Sequence, residues 1–240
     1  ASAMNTSRWL ERIAWSSDCK QLSFAAGRVV VVVEASGNIE CKHEEQSSIS
    51  AISFMPNGSL AVAAYGGVRV LKIASSELGN SSNGDSGFTR NRDSFFLERA
   101  AASVQCVAIS PNGKQLAAGC LDKTMRVFSL DGDSAPVDWV GFNGPIVSVA
   151  WSASGLMLAA CAGNALLVIE SVATRGDAPV LCRGCGVPES DGGIGSCPRL
   201  IGFAWCPAHS REHIIAASSA NGSVLVFNVA SCDHSVPRRC

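Results

Sequence analysis

The sequence is poor in charge and has no long apolar segment. Charged side chains make up 16% of the 240 residues, the formal net charge is −1, and the basic residues are scattered. No basic stripe of the kind that binds a phosphate backbone is present, so nucleic acid is not indicated as a partner. The longest apolar runs, "GRVVVVVEASG" and "SVLVFNVA", fall well short of the roughly 20 residues of a membrane span. Without an apolar signal-peptide core, we expect a cytoplasmic or nuclear protein with no membrane partner.

Catalytic signatures are also missing. The glycine-rich segment "DGGIGS" (191–196) is not followed by the Lys-Ser/Thr pair of a phosphate-binding loop. The segment "HSREH" (209–213) matches the His-x-x-Glu-His pattern of one metalloprotease class, through His209, Glu212 and His213. That pattern needs a helix, yet the segment lies where a hairpin turn is expected between two apolar strands. We therefore predict no enzyme activity, no catalytic residue and no small-molecule substrate.

Cysteine, by contrast, is abundant, with eleven residues. Four of them fall in or beside predicted strands, where a thiol behaves as a small buried hydrophobe: Cys19, Cys106, Cys120 and Cys161.

A second group of cysteines could bind a metal. The Cys-x-x-Cys pair Cys182 and Cys185, followed by Cys206-x-x-His209, has the ligand chemistry of a tetrahedral zinc site. Cys206, however, aligns with a serine that begins a turn elsewhere in the chain. We predict no cofactor, and zinc stays open as the weaker alternative.

One pattern occurs five times along the chain. The copies are "LERIAWSSDCKQLSFAAGRVVVVVE" (10–34), "ISAISFMPNGSLAVAAYGGVRVLKI" (49–73), "VQCVAISPNGKQLAAGCLDKTMRVFSL" (104–130), "IVSVAWSASGLMLAACAGNALLVIES" (146–171) and "LIGFAWCPAHSREHIIAASSANGSVLVFNV" (200–229). Each contains a large apolar landmark after Ala or Ser: Trp15, Phe54, Ile109, Trp151 and Trp205. Turn residues divide each copy into three short strands, which in the third copy are 104–110, 115–119 and 124–129. A weaker fourth strand is predicted in the spacers, at 39–42, 95–98, 137–140 and 180–182.

The phrase "SPNGKQLAAGCLDKTMRVF" resembles the WD-repeat β-propeller family. The repeats are divergent, because Phe128-Ser129, Ile169-Glu170 and Phe227-Asn228 stand where the family often has Trp-Asp, and its Gly-His pair is absent. The resemblance implies an all-β propeller of four-stranded blades. We expect one domain over residues 5–240, with blades starting near residues 9, 49, 104, 146 and 200 and with insertions at 74–94 and 183–199. Five recognisable blades favour part of a larger, seven-bladed ring over a closed five-bladed one.

The resemblance also implies a function. WD-repeat proteins typically act as scaffolds whose partners dock on the face that carries the turns between the second and third strands. In this sequence the corresponding residues are Arg28, Tyr65, Asp122, Lys123, Asn164 and Asn221, with Tyr65, the single tyrosine, as the expected anchor. The predicted partners are proteins or the remaining propeller blades. The alternative is an accessory role in metal homeostasis through the Cys/His-rich segment 182–213, since "LAVAAYGGVRVL" resembles WD-repeat proteins that accompany CobW-type GTPases.

The repeat alignment makes two further predictions about burial. Trp15, Trp151 and Trp205 each follow an alanine at the same position, so we expect all three to be buried between blades. The runs at the two ends of the array, 9–15 and 224–229, are expected to need a partner sheet. The residues expected to face that partner are Leu10, Ile13, Leu225 and Phe227.

Overall fold

The computed structural model describes residues 12–73, 95–131, 135–140, 142, 144–163, 165–170, 199–207, 211 and 213–229. Within these ranges the protein is built from sixteen β-strands and contains no α-helix. Every strand pairing is antiparallel, as expected for short strands joined by tight turns. The chain divides into two compact units, residues 1–104 and 105–240. The all-β fold class is thus confirmed.

The first unit contains a four-stranded sheet and a second sheet that follows it. The first sheet is a meander of β1 (Arg12–Trp15), β2 (Gln21–Ala26), β3 (Val29–Glu34) and β4 (Ile39–Glu44). The second contains β5 (Ala51–Phe54), β6 (Leu60–Leu71) and the beginning of β7 (Phe95–Ile109). Alternation along the strands puts Ala25, Val30 and Val32 on one face, where they form a core with Ile52 and Leu60 of the second sheet.

The second unit contains three successive sheets. The last residues of β7, from 105 to 109, lie beside β8 (Gln115–Cys120), β9 (Met125–Ser129) and β10 (Val137–Trp139). The next sheet is β11 (Ile146–Trp151), β12 (Met157–Ala162) and β13 (Ala165–Glu170), and the last is β14 (Leu200–Trp205), β15 (Ile214–Ser219) and β16 (Val224–Asn228). Two clusters of buried side chains, each shared between consecutive sheets, form the core.

Small residues in the middle strands let these sheets approach closely. Ala117 and Ala118 in β8, and Ala159 and Ala160 in β12, are buried. A Cβ atom on Gly119 would lie 2.5 Å from Cγ2 of Ile146 and 2.6 Å from Sγ of Cys106. At these positions, β8 and β12 have room for a methyl group at most, and at Gly119 for none.

A recurring hydrogen-bond pattern closes the first turn of several repeats. The hydroxyl oxygens of Ser16, Ser110 and Ser152 accept the backbone N–H of the residue five positions later, at 2.9, 2.9 and 3.1 Å. All three serines are buried. In the fifth repeat, the N–H of Cys206 donates to the carbonyl of Ile214 at 2.9 Å, as the N–H of Ser110 does to Gln115. Cys206 therefore occupies the position of the turn serine.

The structure corrects two burial predictions in the first repeat. Trp15 is 57% exposed, whereas Trp151 is only 8% exposed and Trp205 is half-buried. Cys19 is exposed as well, since it sits in the turn after β1 with a φ of 57°, while Cys120 and Cys161 are buried and Cys106 is half-buried.

The prediction that Leu225 and Phe227 face a partner sheet was wrong, because the other face of β16 is the exposed one. Phe227 is buried and Leu225 half-buried, because both pack with Ile215 and residues of the preceding sheet. The exposed residues of β16 are Val224, Val226 and Asn228, on the opposite face. Ile13 is exposed as expected, and Leu10 lies outside the described residues.

The turn predicted at residues 65–67 lies within β6. β6 runs from Leu60 to Leu71 without interruption. Its pairing register with β7 shifts between Tyr65 and Gly67, and Gly66 has a φ of 89°. A bulge-like irregularity within a continuous strand therefore stands where the turn was predicted.

Candidate partner-binding surface

Arg28 and Tyr65 lie at the same end of the first unit because the segment after β4 connects them. The N–H of Glu45 donates to the carbonyl of Arg28 at 2.8 Å, and the N–H of Ile49 donates to that of Gly27 at 2.7 Å. A few residues along, the hydroxyl of Ser47 accepts the N–H of Tyr65 at 3.1 Å. The segment 45–49 is thus held against both the β2–β3 turn and the irregularity in β6.

We call the exposed residues Arg28, Glu44 and Tyr65, together with the half-buried Ser47, the Tyr65 surface. The side chain of Tyr65 is 65% exposed although its backbone is hydrogen-bonded. Beside it, a guanidinium nitrogen of Arg28 lies 2.7 Å from a carboxylate oxygen of Glu44, and both side chains are solvent-accessible. The surface therefore presents one aromatic ring next to an ion pair.

A partly buried ion pair stabilises the segment that carries the Tyr65 surface. The carboxylate of Glu45 accepts a hydrogen bond from Nε of Arg69 at 2.6 Å and lies 3.1 Å from Nε2 of His43. The guanidinium of Arg69 also stacks on the ring of Phe96, 5.1 Å from its centroid. Burial alone would raise the pKa of Glu45, but the hydrogen bonds from His43 and Arg69 and the charge of Arg69 outweigh it. The pKa is therefore lowered, and Glu45 is anionic at neutral pH.

Asp122 holds its own turn together. One carboxylate oxygen accepts the backbone N–H of Thr124 at 3.1 Å, and the other lies 3.3 Å from the guanidinium of Arg126. Burial acts to raise the pKa of Asp122, but the Thr124 and Arg126 interactions lower it overall. Arg126 itself is buried and also donates to Sγ of Cys120 at 3.2 Å. Lys123, which follows Asp122 in this turn and has a φ of 66°, is exposed.

The remaining predicted site residues are in the fourth and fifth repeats. The side-chain oxygen of Asn221 accepts the N–H of Ser223 at 3.0 Å and the hydroxyls of Ser219 and Ser223. Asn221 thus stabilises its turn as Asp122 does. Asn164 lies outside the described residues. The structure brings Arg28 and Tyr65 together in one unit, and it shows Asp122, Lys123 and Asn221 on turns of the other.

The zinc hypothesis stays untested. Cys182, Cys185 and His209 lie outside the part of the chain that the structure describes, as do residues 180–182 of the predicted fourth strand. Among the described residues, no group of three or more His, Cys, Asp or Glu side chains could hold a metal ion. His213 lies in a turn directly before β15, and its carbonyl accepts the N–H of Val229 at 2.8 Å.

No helix among the described residues has the length and apolarity to cross a membrane.

Sequence reasoning missed the cluster in which the buried Glu45 meets the half-buried His43, Arg69 and Phe96. A signal was present, because Arg69 interrupts the apolar run "GVRVL" and must find a partner when its strand is buried. The sequence did not say which carboxylate that partner is, since Glu40, Glu44 and Glu45 all lie nearby along the chain.

Comparisons with known proteins agree with the repeat pattern and the sheets. The family model "WD domain, G-beta repeat" matches residues 95–129. "WD repeat-containing protein 1" of Gallus gallus is 26% identical over 138 residues, which is 57% of this chain and 20% of that protein. A chain in the "Crystal Structure of Mitotic Checkpoint Complex" superposes with a TM-score of 0.71 at 17% identity, over 93% of this chain and 61% of that one. The chain thus spans about a fifth of the length of its curated relative; residues 95–129 match a WD repeat, and the fold is all-β and of the WD-repeat propeller type.

Proposed function

We propose that this chain is a non-enzymatic scaffold that binds protein partners through the Tyr65 surface and works within a larger assembly. Similarity to WD-repeat proteins supports a role in protein interaction. The observation that carries the specific proposal is the exposed ring of Tyr65 on a backbone that is hydrogen-bonded in place. The proposal includes a cytoplasmic or nuclear setting and no cofactor.

The Tyr65 surface has the composition of a small binding hot spot. Tyrosine supplies a large contact area with few rotatable bonds, so little conformational entropy is lost when a partner covers it. The Arg28–Glu44 pair beside the ring can serve as a polar rim that orients the partner. The Glu45–Arg69 ion pair holds the start of segment 45–49 in place, so the surface is already formed before a partner binds.

The turns of the second unit are proposed as additional contacts. Leu121 and Lys123 are exposed at the tip of the β8–β9 turn, while Asp122 is engaged in holding that turn. Leu121 and Lys123 are therefore the side chains expected to touch a partner. Asp122 and Asn221 would contribute by keeping the turn shape.

The experiment compares Tyr65→Ala with Ile39→Ala in the natural protein that contains this chain. Ile39 begins β4 at the opposite end of the first sheet and is 56% exposed, so it is a matched control. Affinity purification followed by quantitative mass spectrometry should show at least one partner reduced about tenfold or more by Tyr65→Ala, which corresponds to about 1.4 kcal/mol. Ile39→Ala should retain the full set of partners. An identical set with both variants would reject the Tyr65 surface as the binding site.

A further inference from the structure

A cleft opens at one end of the first unit, where the core between its two sheets stops. Its volume is about 520 Å³, which is within the range of pockets that enclose organic ligands. It lies between the β1–β2, β3–β4 and β5–β6 turns, at the end of the first sheet that is opposite to the Tyr65 surface. Position and size thus make it a second candidate site on this unit.

The core-facing side of the first sheet ends in polar side chains at this cleft. Gln21 and Glu34 are directly opposite each other in the pairing of β2 with β3. Alternation along the two strands puts them on the same face as Ala25 and Val30, which belong to the core. A glutamine and a glutamate therefore stand in the rows that are apolar further along the sheet.

A bulge in β4 brings a second carboxylate to the same place. The register of β3 with β4 shifts between Val32 and Val33, and Glu40 is the residue left without a partner in β3. A bulge of this kind changes the direction of a side chain. The carboxylate of Glu40 accepts a hydrogen bond from Nε2 of Gln21 at 2.6 Å, across the width of β3. We call the space lined by these side chains the Glu40 cleft.

Two carboxylates of the Glu40 cleft lack a countercharge. Glu34 and Glu40 are half-buried, and their side chains accept hydrogen bonds from neutral amide and hydroxyl groups. Within the part of the chain that the structure describes, neither forms an ion pair, because Lys20 in the cleft lies 3.8 Å from Asp18 instead. A half-buried anion without a cation is costly. The cleft therefore favours a positively charged ligand.

The other walls of the Glu40 cleft suit an organic cation. Ala35 and Ile73 contribute apolar surface, along which the methylene stem of a basic side chain can lie. Nδ2 of Asn57 has no hydrogen-bond partner among the described residues and can donate to a main-chain carbonyl. The described acidic residues include no group of three that could hold a metal ion. A cationic side chain attached to a polypeptide thus fits better than a metal.

We propose that the Glu40 cleft binds an arginine side chain in a basic segment of a protein partner. The guanidinium lies between Glu34 and Glu40, because its planar set of N–H donors matches two carboxylates. Its methylene stem lies on Ile73, and Asn57 donates to the main chain of the segment. The cleft is then a second docking site, which does not depend on the Tyr65 surface.

Two labelled peptides test the proposal on the purified natural polypeptide. The probes are fluorescein-labelled Gly-Arg-Ala-Arg-Gly and the same peptide with both arginines replaced by citrulline, which keeps the shape of arginine without its charge. Fluorescence anisotropy should give a dissociation constant of about 100 μM or lower for the arginine peptide, and binding of the citrulline peptide at least about tenfold weaker. Equal affinities, or no saturable binding of the arginine peptide, would overturn the proposal.

Isosteric variants locate the binding. Glu34→Gln and Glu40→Gln each remove one charge and keep the side-chain shape, and their unfolding midpoints verify that they fold. Each should weaken binding of the arginine peptide at least about fivefold and leave the citrulline peptide unaffected. The matched control is Asp131→Asn, which removes an exposed carboxylate paired with Lys114 in the second unit and should retain wild-type affinity.

Three results with these variants and competitors would contradict the proposal. Wild-type affinity in both glutamine variants would show that the peptide binds elsewhere. An equal loss with Asp131→Asn would show only a general attraction between the peptide and acidic surface. Displacement by free arginine at the same concentration as the peptide would show that the cleft takes a small cation rather than a protein segment.

Discussion

At the scale of single residues, Trp151 combines apolar packing with a directed hydrogen bond. Its ring lies in the cluster shared by two sheets, and its Nε1 satisfies the carbonyl of Ala108. Truncation removes both contributions, whereas replacement by phenylalanine retains most of the packing and leaves the carbonyl unpaired. The two effects can therefore be separated by substitution.

We expect Trp151→Ala to lower the free energy of unfolding by about 3–5 kcal/mol. Trp151→Phe should lower it by about 1–3 kcal/mol, since a buried acceptor loses its partner. Trp15→Ala is the matched control and should change it by less than about 1 kcal/mol in the isolated chain, because that ring is exposed. Urea denaturation followed by circular dichroism measures all three. Equal losses for Trp15 and Trp151 would contradict the assignment of their environments.

The lowered pKa of Glu45 predicts a pH-dependent contribution to stability. In the folded protein the carboxylate stays ionised to lower pH than the unfolded value of about 4.3. The stabilisation is therefore fully present above that value and is lost as the pH falls through the lowered folded pKa. Glu45→Gln should cost about 1.5–3 kcal/mol at pH 7, as for a hydrogen bond to a charged group, and much less at pH 3.

The neighbouring Glu44 supplies the control for that measurement. Its pair with Arg28 is solvent-accessible, so Glu44→Gln should change stability by less than about 1 kcal/mol at either pH. Denaturation curves at the two pH values give both comparisons. A cost for Glu45→Gln that does not depend on pH would show that the side chain acts through packing rather than charge.

At the scale of strands and turns, the serine turns are the most regular element of the repeat. The Ser110 hydroxyl accepts the N–H of Gln115 at 2.9 Å, donates to its carbonyl at 3.1 Å and lies 2.7 Å from Oδ1 of Asn112. One buried hydroxyl thus accepts one hydrogen bond of the turn and lies within donating distance of two acceptors, to one of which it gives its single proton. We expect Ser110→Ala to cost about 1–3 kcal/mol, because these groups lose a partner in a buried site.

Ser36 is the control for the turn prediction. It also lies in a turn between two strands, and its hydroxyl donates to Glu34, but the site is exposed. Ser36→Ala should stay within about 0.5 kcal/mol of the wild type. If Ser110→Ala were equally mild in thermal or urea unfolding, the serine turn would be a consequence of the fold rather than a source of its stability.

Close packing of the middle strands makes a separate prediction for glycine. A methyl group on Gly119 would meet Ile146 and Cys106 at distances no real contact shows, so Gly119→Ala should destabilise the chain by about 1–3 kcal/mol. Gly202 is also in a strand, but its nearest neighbour would be Oγ of Ser218 at 3.8 Å. Gly202→Ala should therefore be close to neutral. The reverse order of the two unfolding midpoints would contradict the packing described.

The strands themselves were largely predictable, because turn residues and short apolar runs act locally. In the third repeat, expected strands at 115–119 and 124–129 correspond to β8 (Gln115–Cys120) and β9 (Met125–Ser129). The continuous β6 and the fifteen-residue β7 were not predicted. Their extent depends on pairing between segments far apart in sequence, and local periodicity contains no information about such partners.

At the scale of the whole molecule, the all-β fold class was predictable and burial at the ends of the array was not. Trp15, Trp151 and Trp205 occur in the same local sequence, yet their exposure differs because it depends on which sheets lie next to them. The Tyr65 surface shows the same limit. Arg28 and Tyr65 were selected from the repeat pattern, whereas the Glu45–Arg69 support became visible only when residues from different strands came together.

A metal measurement on the whole chain addresses the zinc alternative. We expect less than about 0.1 zinc per chain after purification without a chelator, and no change of the unfolding midpoint with EDTA, since a structural zinc site would contribute folding energy. Elemental analysis by mass spectrometry provides the count. Stoichiometric zinc that is lost when Cys182 and Cys185 are replaced by serine would support the metal-handling role instead.

The indole of Trp151 donates to the carbonyl of Ala108, and that of Trp205 donates to the carbonyl of Ala150 in the same way, which has a consequence for how such a chain can change over evolutionary time. Every repeat that carries the tryptophan and the preceding alanine offers the same donor on one side and the same acceptor on the other. A duplicated repeat inserted between two others would meet compatible neighbours at once, as in other repeat architectures in which each unit contacts only the next. A repeat that lost its tryptophan would weaken one junction only. Gene rearrangements that add or delete a whole repeat are therefore better tolerated here than changes that shift the strand register within one.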